Sequence, residues 1–100
     1  MAHKRGLILN PVDNVANVLE EVLPGDTIQL SLNNEILTLK AEERIPFGFK
    51  VAVKEIMRDS PIIKYGHRIG LASQHIKQGT LVHIHNLAGI RGRGDLTKKV

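Results

Sequence analysis

The chain has 100 residues and no cysteine, which excludes a disulfide-stapled domain and a zinc site built from thiolates, and fits a cytoplasmic protein. The formal net charge is +4, but the basic residues are scattered and only one Tyr and two Phe are available for base stacking, so a nucleic-acid partner is not favoured. The apolar runs are far shorter than the roughly 20 residues of a membrane span, so we expect no membrane association.

The first predicted elements are a short buried strand and a helix. The run LIL at 7–9 is typical of a strand and is closed by Asn10-Pro11. Asp13 is a good N-cap, and the apolar residues after it have the i, i+3, i+4, i+7 spacing of a helix with one buried stripe, namely Val15, Val18, Leu19 and Val22. Pro24-Gly25 then ends the segment, so the pattern predicts one short amphipathic helix.

A β-hairpin is predicted next. The segments TIQLSL and EILTL alternate apolar and polar residues, and Asn33-Asn34 between them tolerates the positive φ angles of a type I′ turn. With this turn the facing pairs are Leu30 with Leu37 and Ile28 with Leu39, so we expect both strands to bury the same face.

The chain after Lys40 consists of short β-like pieces separated by turn residues. Within it, VAVKEIMRDSPII and LASQHIKQGTLVH are weakly similar at a spacing of 20 residues, which suggests two similar strand-turn-strand units. The whole pattern predicts a mostly β domain with one short helix (α+β) over residues 1–90, followed by a flexible C-terminal tail at 91–100.

The segment LVHIHN, residues 81–86, is the strongest candidate for chemistry. As a continuous strand it would place His83 and His85 on one face, where they could handle a metal ion, a proton or an anionic substrate. Two imidazoles are too few for a catalytic metal site, and two His on the solvent face of a strand are an equally good interpretation. Asn86 either orients a ligand or ends the strand through a side-chain turn.

Arg91 and Arg93 flank Gly92 in the segment RGRGD. Forked guanidinium donors beside exposed backbone are well suited to gripping a carboxylate or phosphate. A solvated tail is the alternative interpretation of the same residues.

Four segments together resemble the SAF domain of the altronate and galactarate dehydratase family. They are IPFGFKVAVKEI, PIIKYGHRIGLAS, IKQGTLVHIHN and RGRGDL, in the family's order and spacing, and LILNPVDNVANVLEEVLPGD is more loosely similar. The resemblance covers nearly the whole chain and implies that residues 1–90 form an SAF domain with the β-clip fold.

The same resemblance implies a function. In that family the domain is either the N-terminal part of a long dehydratase or a separate small subunit, and this chain looks like the small subunit of a hydro-lyase. The implied reaction removes water from a sugar acid to give a 2-keto-3-deoxy acid, with a large dehydratase subunit as partner and divalent iron or manganese shared with it. A related branch, sulfolactate sulfo-lyase, expels sulfite instead, and a homo-oligomer is left open.

The resemblance also assigns candidate roles. His83 and His85 are candidate catalytic groups or metal ligands, and Lys50, Asn86, Arg91 and Arg93 are candidate substrate-binding residues. Family members commonly read PFGHKVA or PAGHKVA, whereas this chain has Phe49 at the histidine position. Because Phe can neither bind a metal nor transfer a proton, a noncatalytic module that binds a sugar acid or organises a partner is the alternative hypothesis.

Overall fold

Nine β-strands arranged in two sheets make up the computed structural model, which describes residues 2–89. They are β1 (His3–Leu7), β2 (Val15–Val18), β3 (Thr27–Leu32), β4 (Glu35–Lys40), β5 (Lys50–Ala52), β6 (Pro61–Lys64), β7 (His67–Ala72), β8 (Leu81–Val82) and β9 (Leu87–Gly89). The strand order is β4-β3-β1-β2-β5-β8 in the six-stranded sheet and β6-β7-β9 in the other. The prediction of a mostly β domain is therefore confirmed, and the described residues contain no helix that could cross a membrane.

The predicted short helix is wrong. The segment instead forms β2, which pairs antiparallel with both β1 and β5. Val15, Ala16 and Val18 are all buried, because β2 has apolar cores on both of its faces. A strand that is covered on both sides does not alternate apolar and polar residues. The three-residue spacing of Val15 and Val18 therefore matched the helical pattern by chance. The strand predicted at 7–9 is also displaced, since β1 ends at Leu7.

Asp13 has a different role from the predicted N-cap. Its Oδ1 accepts a hydrogen bond of 2.8 Å from the backbone N–H of Gly66, in the turn between β6 and β7. Beside it, Asn14 donates to the Pro61 carbonyl and accepts from the Ile63 N–H. These side chains hold the loop before β2 against the second sheet.

The hairpin prediction is confirmed. Asn33 and Asn34 have φ angles of 51° and 66°, and the observed register pairs Leu30 with Leu37 and Ile28 with Leu39. The burial of a common face is incomplete, because Leu37 remains exposed at the edge of the sheet.

The core has two parts, separated by the strands β2, β5 and β8. Val18 and Val51 belong to one cluster, together with residues of β3 and β4. Val15, Ala52 and Val82 belong to the other, together with Ile62 of the second sheet. The side chains of these three strands consequently alternate between the two clusters. This alternation decides which polar residues share a face at the strand ends.

The two segments that are weakly similar at a spacing of 20 residues belong to a set of four structurally equivalent segments, at residues 22–25, 45–48, 56–59 and 76–79. In each segment, the first residue is apolar and forms an isolated β-bridge, and the residue three positions later has positive φ. The bridges join Val22 to Ile45 and Ile56 to Ile76, and the positive-φ residues are Gly25, Gly48, Asp59 and Gly79. In every copy the positive-φ N–H donates to the carbonyl four residues before the partner's bridging residue, at Ala41, Val18, Ala72 and Ala52 respectively. The two predicted similar units therefore pair with each other through equivalent hydrogen bonds.

Candidate functional site

The segment carrying the two histidines is a turn rather than a strand. β8 ends at Val82, and residues 83–86 form a tight turn before β9. Asn86 closes it, because its Oδ1 accepts from the His83 N–H at 2.9 Å and its Nδ2 donates to the Leu81 carbonyl at 2.8 Å. Asn86 is only 4% exposed, so its amide is committed to the backbone. Of its two predicted roles, the structure shows the side-chain turn.

The turn separates the surroundings of His83 and His85. His83 is half-buried, and its ring lies beside that of Phe49, with 4.7 Å between the ring centroids and 45° between the planes. His85 is exposed, and Ile84 between them is 83% exposed instead of facing the core. The shared strand face predicted for the two imidazoles is therefore wrong, and only His83 is held in place by a neighbouring side chain.

The pairing of β5 with β8 explains why Phe49 meets His83. Lys50 lies opposite Val82, so the next residues along each strand, Phe49 and His83, come together where the pairing ends. Phe49 packs against the same cluster as Leu81. The residue at position 49 therefore sets the environment of the His83 ring.

The described residues do not by themselves fit a divalent metal. Within residues 2–89 no three His, Cys, Asp or Glu side chains come together as a metal site requires. His83 and His85 would supply two nitrogen ligands at most, and the ring beside His83 is a phenyl group. Any further ligands would have to come from outside residues 2–89.

Lys50 leaves the sheet on the side opposite to His83. It lies two residues before Ala52, which belongs to the cluster beneath the second sheet, whereas Phe49 belongs to the other cluster. Burial, and then the positive charge of Lys64, lower the pKa of the Lys50 ammonium from its ordinary value of 10.5. The predicted substrate-binding Lys50 therefore lies beside the histidine turn in the sheet, opposite Val82, but its side chain faces a different set of residues.

Two polar residues near Lys50 were not predicted as part of a site. Asn17 lies directly opposite Lys50 in the β2–β5 pair, and its Oδ1 is buried without a hydrogen-bond partner in the described part of the chain. Lys64 lies at the end of β6, and its charge is the second cause that lowers the pKa of Lys50. Their spacing was the signal in the sequence that could have found them. Asn17 stands two positions after Val15 and Lys64 two positions after Ile62, and both of these apolar residues are buried in the core. Arg91 and Arg93, and the predicted tail at 91–100, lie outside the described residues.

Comparison with known proteins identifies relatives over most of the chain. The model of the altronate/galactarate dehydratase SAF domain matches residues 4–89. The (2R)-sulfolactate sulfo-lyase subunit alpha of Chromohalobacter salexigens is 39% identical over 72 residues, which cover 70% of this chain and 77% of that protein. Two altronate dehydratases are also similar: the Escherichia coli protein is 35% identical over 78 residues, and the Bacillus subtilis protein is 34% identical over 74 residues. The matched segment is 78% of this chain but 15% of the first enzyme, and 74% but 14% of the second.

Proposed function

The chain belongs to the altronate/galactarate dehydratase SAF-domain family, and on that premise we propose that it is the small subunit of a lyase that removes water from a sugar acid. The product would be a 2-keto-3-deoxy acid, and the remainder of the active site would lie on a large dehydratase subunit. The division of labour is supported by the relatives: one is a separate subunit of comparable length, while the altronate dehydratases carry the matching segment as a small part of a long chain. We also propose the β-clip fold, which two small sheets of short strands suit.

The proposed contribution of this chain to catalysis centres on His83. Elimination next to a carboxylate needs a group that takes the α-proton and a group that helps the hydroxide to leave. An imidazole can do either near neutral pH, and the half-buried ring of His83 has its orientation restricted by Phe49 and its backbone fixed by Asn86. We assign proton transfer to His83 and a supporting role at the exposed turn to His85.

The large subunit is also the proposed source of the metal ligands. The described residues of this chain provide no three-ligand group, so the iron or manganese expected from the family would be held mainly by the partner. Arg91 and Arg93 remain proposed substrate-binding residues, and the cytoplasmic location stays a prediction.

A sulfo-lyase is the second candidate function. It is favoured by the relative from Chromohalobacter salexigens, which is both the more similar in sequence and a separate subunit. In that case the same site would act on sulfolactate and release sulfite. The third candidate is a noncatalytic module, favoured by Phe49 at the position where the family commonly has histidine.

Reconstitution separates these candidates. The chain is mixed with its large partner, and formation of 2-keto-3-deoxy acid from altronate or galactarate is measured beside sulfite release from sulfolactate. His83→Ala is expected to abolish turnover and His85→Ala to reduce it, with His67→Ala on the exposed face of β7 as the matched control. Full turnover in both His83→Ala and His85→Ala would show that the proposed site is wrong. Partner binding without turnover on any substrate, unchanged by Phe49→His, would identify the noncatalytic module.

A further inference from the structure

β4 is the outermost strand of the six-stranded sheet, and among the described strands its only neighbour is β3. In a hairpin with a two-residue turn, the pair next to the turn is hydrogen-bonded, and here that pair is Leu32 and Glu35. The backbone groups of every second residue from Glu35 onward therefore point toward β3. Those of Ile36, Thr38 and Lys40 point away from the sheet, along its outer edge.

One end of this edge is covered by another part of the chain. The backbone of Gly79 lies against the Lys40 carbonyl, since a Cβ on Gly79 would be 2.2 Å from that oxygen. Ile36 and Thr38 therefore carry the free groups of the edge, one N–H and one C=O each, on either side of Leu37. No hydrogen bond from elsewhere in residues 2–89 reaches these groups. An unpaired edge of this kind is a template for another strand.

Apolar side chains accompany the free backbone groups. Ile36 is 67% exposed, and Leu37 is 40% exposed although it pairs with the buried Leu30 of β3. Leu37 consequently stands at the border of the core cluster that contains Leu30, and a further strand would extend that cluster. Between Glu35 and Lys40 the edge carries no charged residue, although charges are a common means of protecting a free edge from pairing.

A two-fold axis at Leu37 would satisfy all of the free groups with a single neighbour. Residues that face each other in an antiparallel pair have their backbone groups either both directed at the other strand or both directed away from it. With Leu37 facing Leu37 of a second copy, Ile36 faces Thr38 of that copy, and Thr38 faces its Ile36. Each of these two pairs exchanges two hydrogen bonds, so no free donor or acceptor of either residue is left over. The two Leu37 side chains meet at the axis.

The charges at the ends of β4 select the antiparallel arrangement. Glu35 begins the strand and Lys40 ends it. An antiparallel copy places the Glu35 end of one strand beside the Lys40 end of the other, whereas a parallel copy would bring like charges together, which is destabilising. The edge is therefore complementary to itself in its hydrogen-bonding groups, its apolar side chains and its charge.

We propose that this chain forms a two-fold dimer in which the β4 strands of two copies pair antiparallel about Leu37 and join the two six-stranded sheets into one. The contact goes beyond the proposed catalytic role, because β4 and β8 are at opposite ends of the strand order. The dimer carries its two His83 turns at the outer ends of the joined sheet, where each is free to meet a large subunit. Because the paired segment is short, we expect a reversible dimer, as is typical of small interfaces.

Cysteine substitutions test the register, because the chain itself has no cysteine. Facing residues of a non-hydrogen-bonded antiparallel pair have Cα atoms about 4.5 Å apart, which a disulfide spans. Under mild oxidation of the full chain, Leu37→Cys is expected to give a disulfide-linked dimer on a non-reducing gel. Ile36→Cys faces Thr38 rather than itself and should cross-link no faster than Met57→Cys, an exposed control on another turn. Cross-linking of Leu37→Cys at the rate of Met57→Cys would overturn the proposal.

Proline at position 38 tests the backbone hydrogen bonds of the contact. Because the Thr38 N–H points away from β3, Thr38→Pro removes a donor from the outer edge and leaves the hairpin hydrogen bonds in place. In sedimentation equilibrium the dimer dissociation constant is expected to rise about tenfold or more in Thr38→Pro, whereas Thr38→Val, which keeps the N–H, should stay within about threefold of the parent. Should Thr38→Pro fail to fold, Ile36→Lys places two like charges near the axis and is expected to weaken the dimer as strongly.

These measurements use this chain alone, so they are independent of the proposed function. A dimer with the expected variant pattern, in a chain that supports no turnover with its large partner, would contradict the proposed function and leave the dimer standing. A parent chain that stays monomeric at every concentration would overturn the dimer. If Thr38→Pro then weakens binding of the large subunit, the β4 edge belongs to that subunit instead.

Discussion

The rings of Phe49 and His83 contact each other where the β5–β8 pair ends, with their centroids 4.7 Å apart. The contact follows from the register, because Lys50 pairs with Val82 and the next residue on each strand must lie beside the other. In a family member with histidine at position 49, two imidazoles would be neighbours here. In this chain His83 instead has an aromatic hydrocarbon beside it.

Phe49→His is therefore expected to create a metal-binding pair. Two adjacent imidazoles supply two of the nitrogen ligands that Co²⁺ or Zn²⁺ prefers, so the variant should bind Co²⁺ about tenfold more tightly than the parent chain. Visible absorption of bound Co²⁺ and calorimetry measure the change. Adding His83→Ala should return the affinity to the parent value. Tight binding that survives in the double variant would place the metal elsewhere and contradict the inferred neighbourhood.

Asn86→Ala should loosen the turn and destabilise the fold. The change removes the hydrogen bonds to Leu81 and His83 from a buried position, and an unsatisfied buried group costs about 1–3 kcal/mol. The loss is measured by urea unfolding, and hydrogen exchange at the His83 amide should speed up. His85→Ala in the same turn is the control, expected to change stability by less than about 0.5 kcal/mol. Equal stability of the two variants would show that the Asn86 hydrogen bonds contribute nothing.

The sequence predicted the elements whose causes are local. Asn33-Asn34 dictates a tight turn whatever surrounds it, and the hairpin register follows from that turn. β2 was mistaken for a helix because its valines are buried by cores on both sides, and that burial depends on strands far away in the sequence. Local pattern carries no information about such a neighbour.

The candidate site also combines features that the local sequence predicts with features that depend on distant contacts. His83 was identified from its residue type, but its separation from His85 depends on the hydrogen bonds that Asn86 makes in the turn. The position of the second sheet against β2 depends on the hydrogen bonds of Asn14, which join segments almost fifty residues apart. Contacts of this range could not be derived from one sequence.

Alanine substitutions at Gly48 and Gly79 are expected to distinguish the cost of backbone strain from the cost of a steric clash. Both have positive φ, 83° and 87°, at equivalent positions of the fourfold pattern. A Cβ on Gly48 would meet open space, whereas one on Gly79 would lie 2.2 Å from the Lys40 carbonyl oxygen. Gly48→Ala should cost about 1–2 kcal/mol from the left-handed conformation alone, and Gly79→Ala clearly more. Thermal unfolding of the two variants checks this order, and equal losses would mean that the backbone at Gly79 adjusts freely.

Asp26 should make the fold sensitive to acid. Its carboxylate accepts hydrogen bonds from the Leu23 N–H at 2.9 Å and the Ala2 N–H at 3.4 Å, and lies 3.9 Å from Lys4 Nζ. The Leu23 hydrogen bond is the largest cause that lowers the pKa of Asp26 below its ordinary value of 3.8, followed by the Ala2 hydrogen bond and the positive charge of Lys4. A carboxyl group with a depressed folded-state pKa contributes stability above its unfolded value, and that stability is lost as the pH falls through the folded value.

The measurement is the unfolding free energy of parent and variants between about pH 2 and pH 6. Asp26→Asn is expected to be less stable at pH 6 and to lose the part of the acid dependence that begins near pH 3.8. Lys4→Met should keep most of that dependence, because it removes the ion pair but leaves both backbone hydrogen bonds in place. If Lys4→Met removes the acid dependence as completely as Asp26→Asn does, the ion pair rather than the hydrogen bonds holds the Asp26 carboxylate ionised.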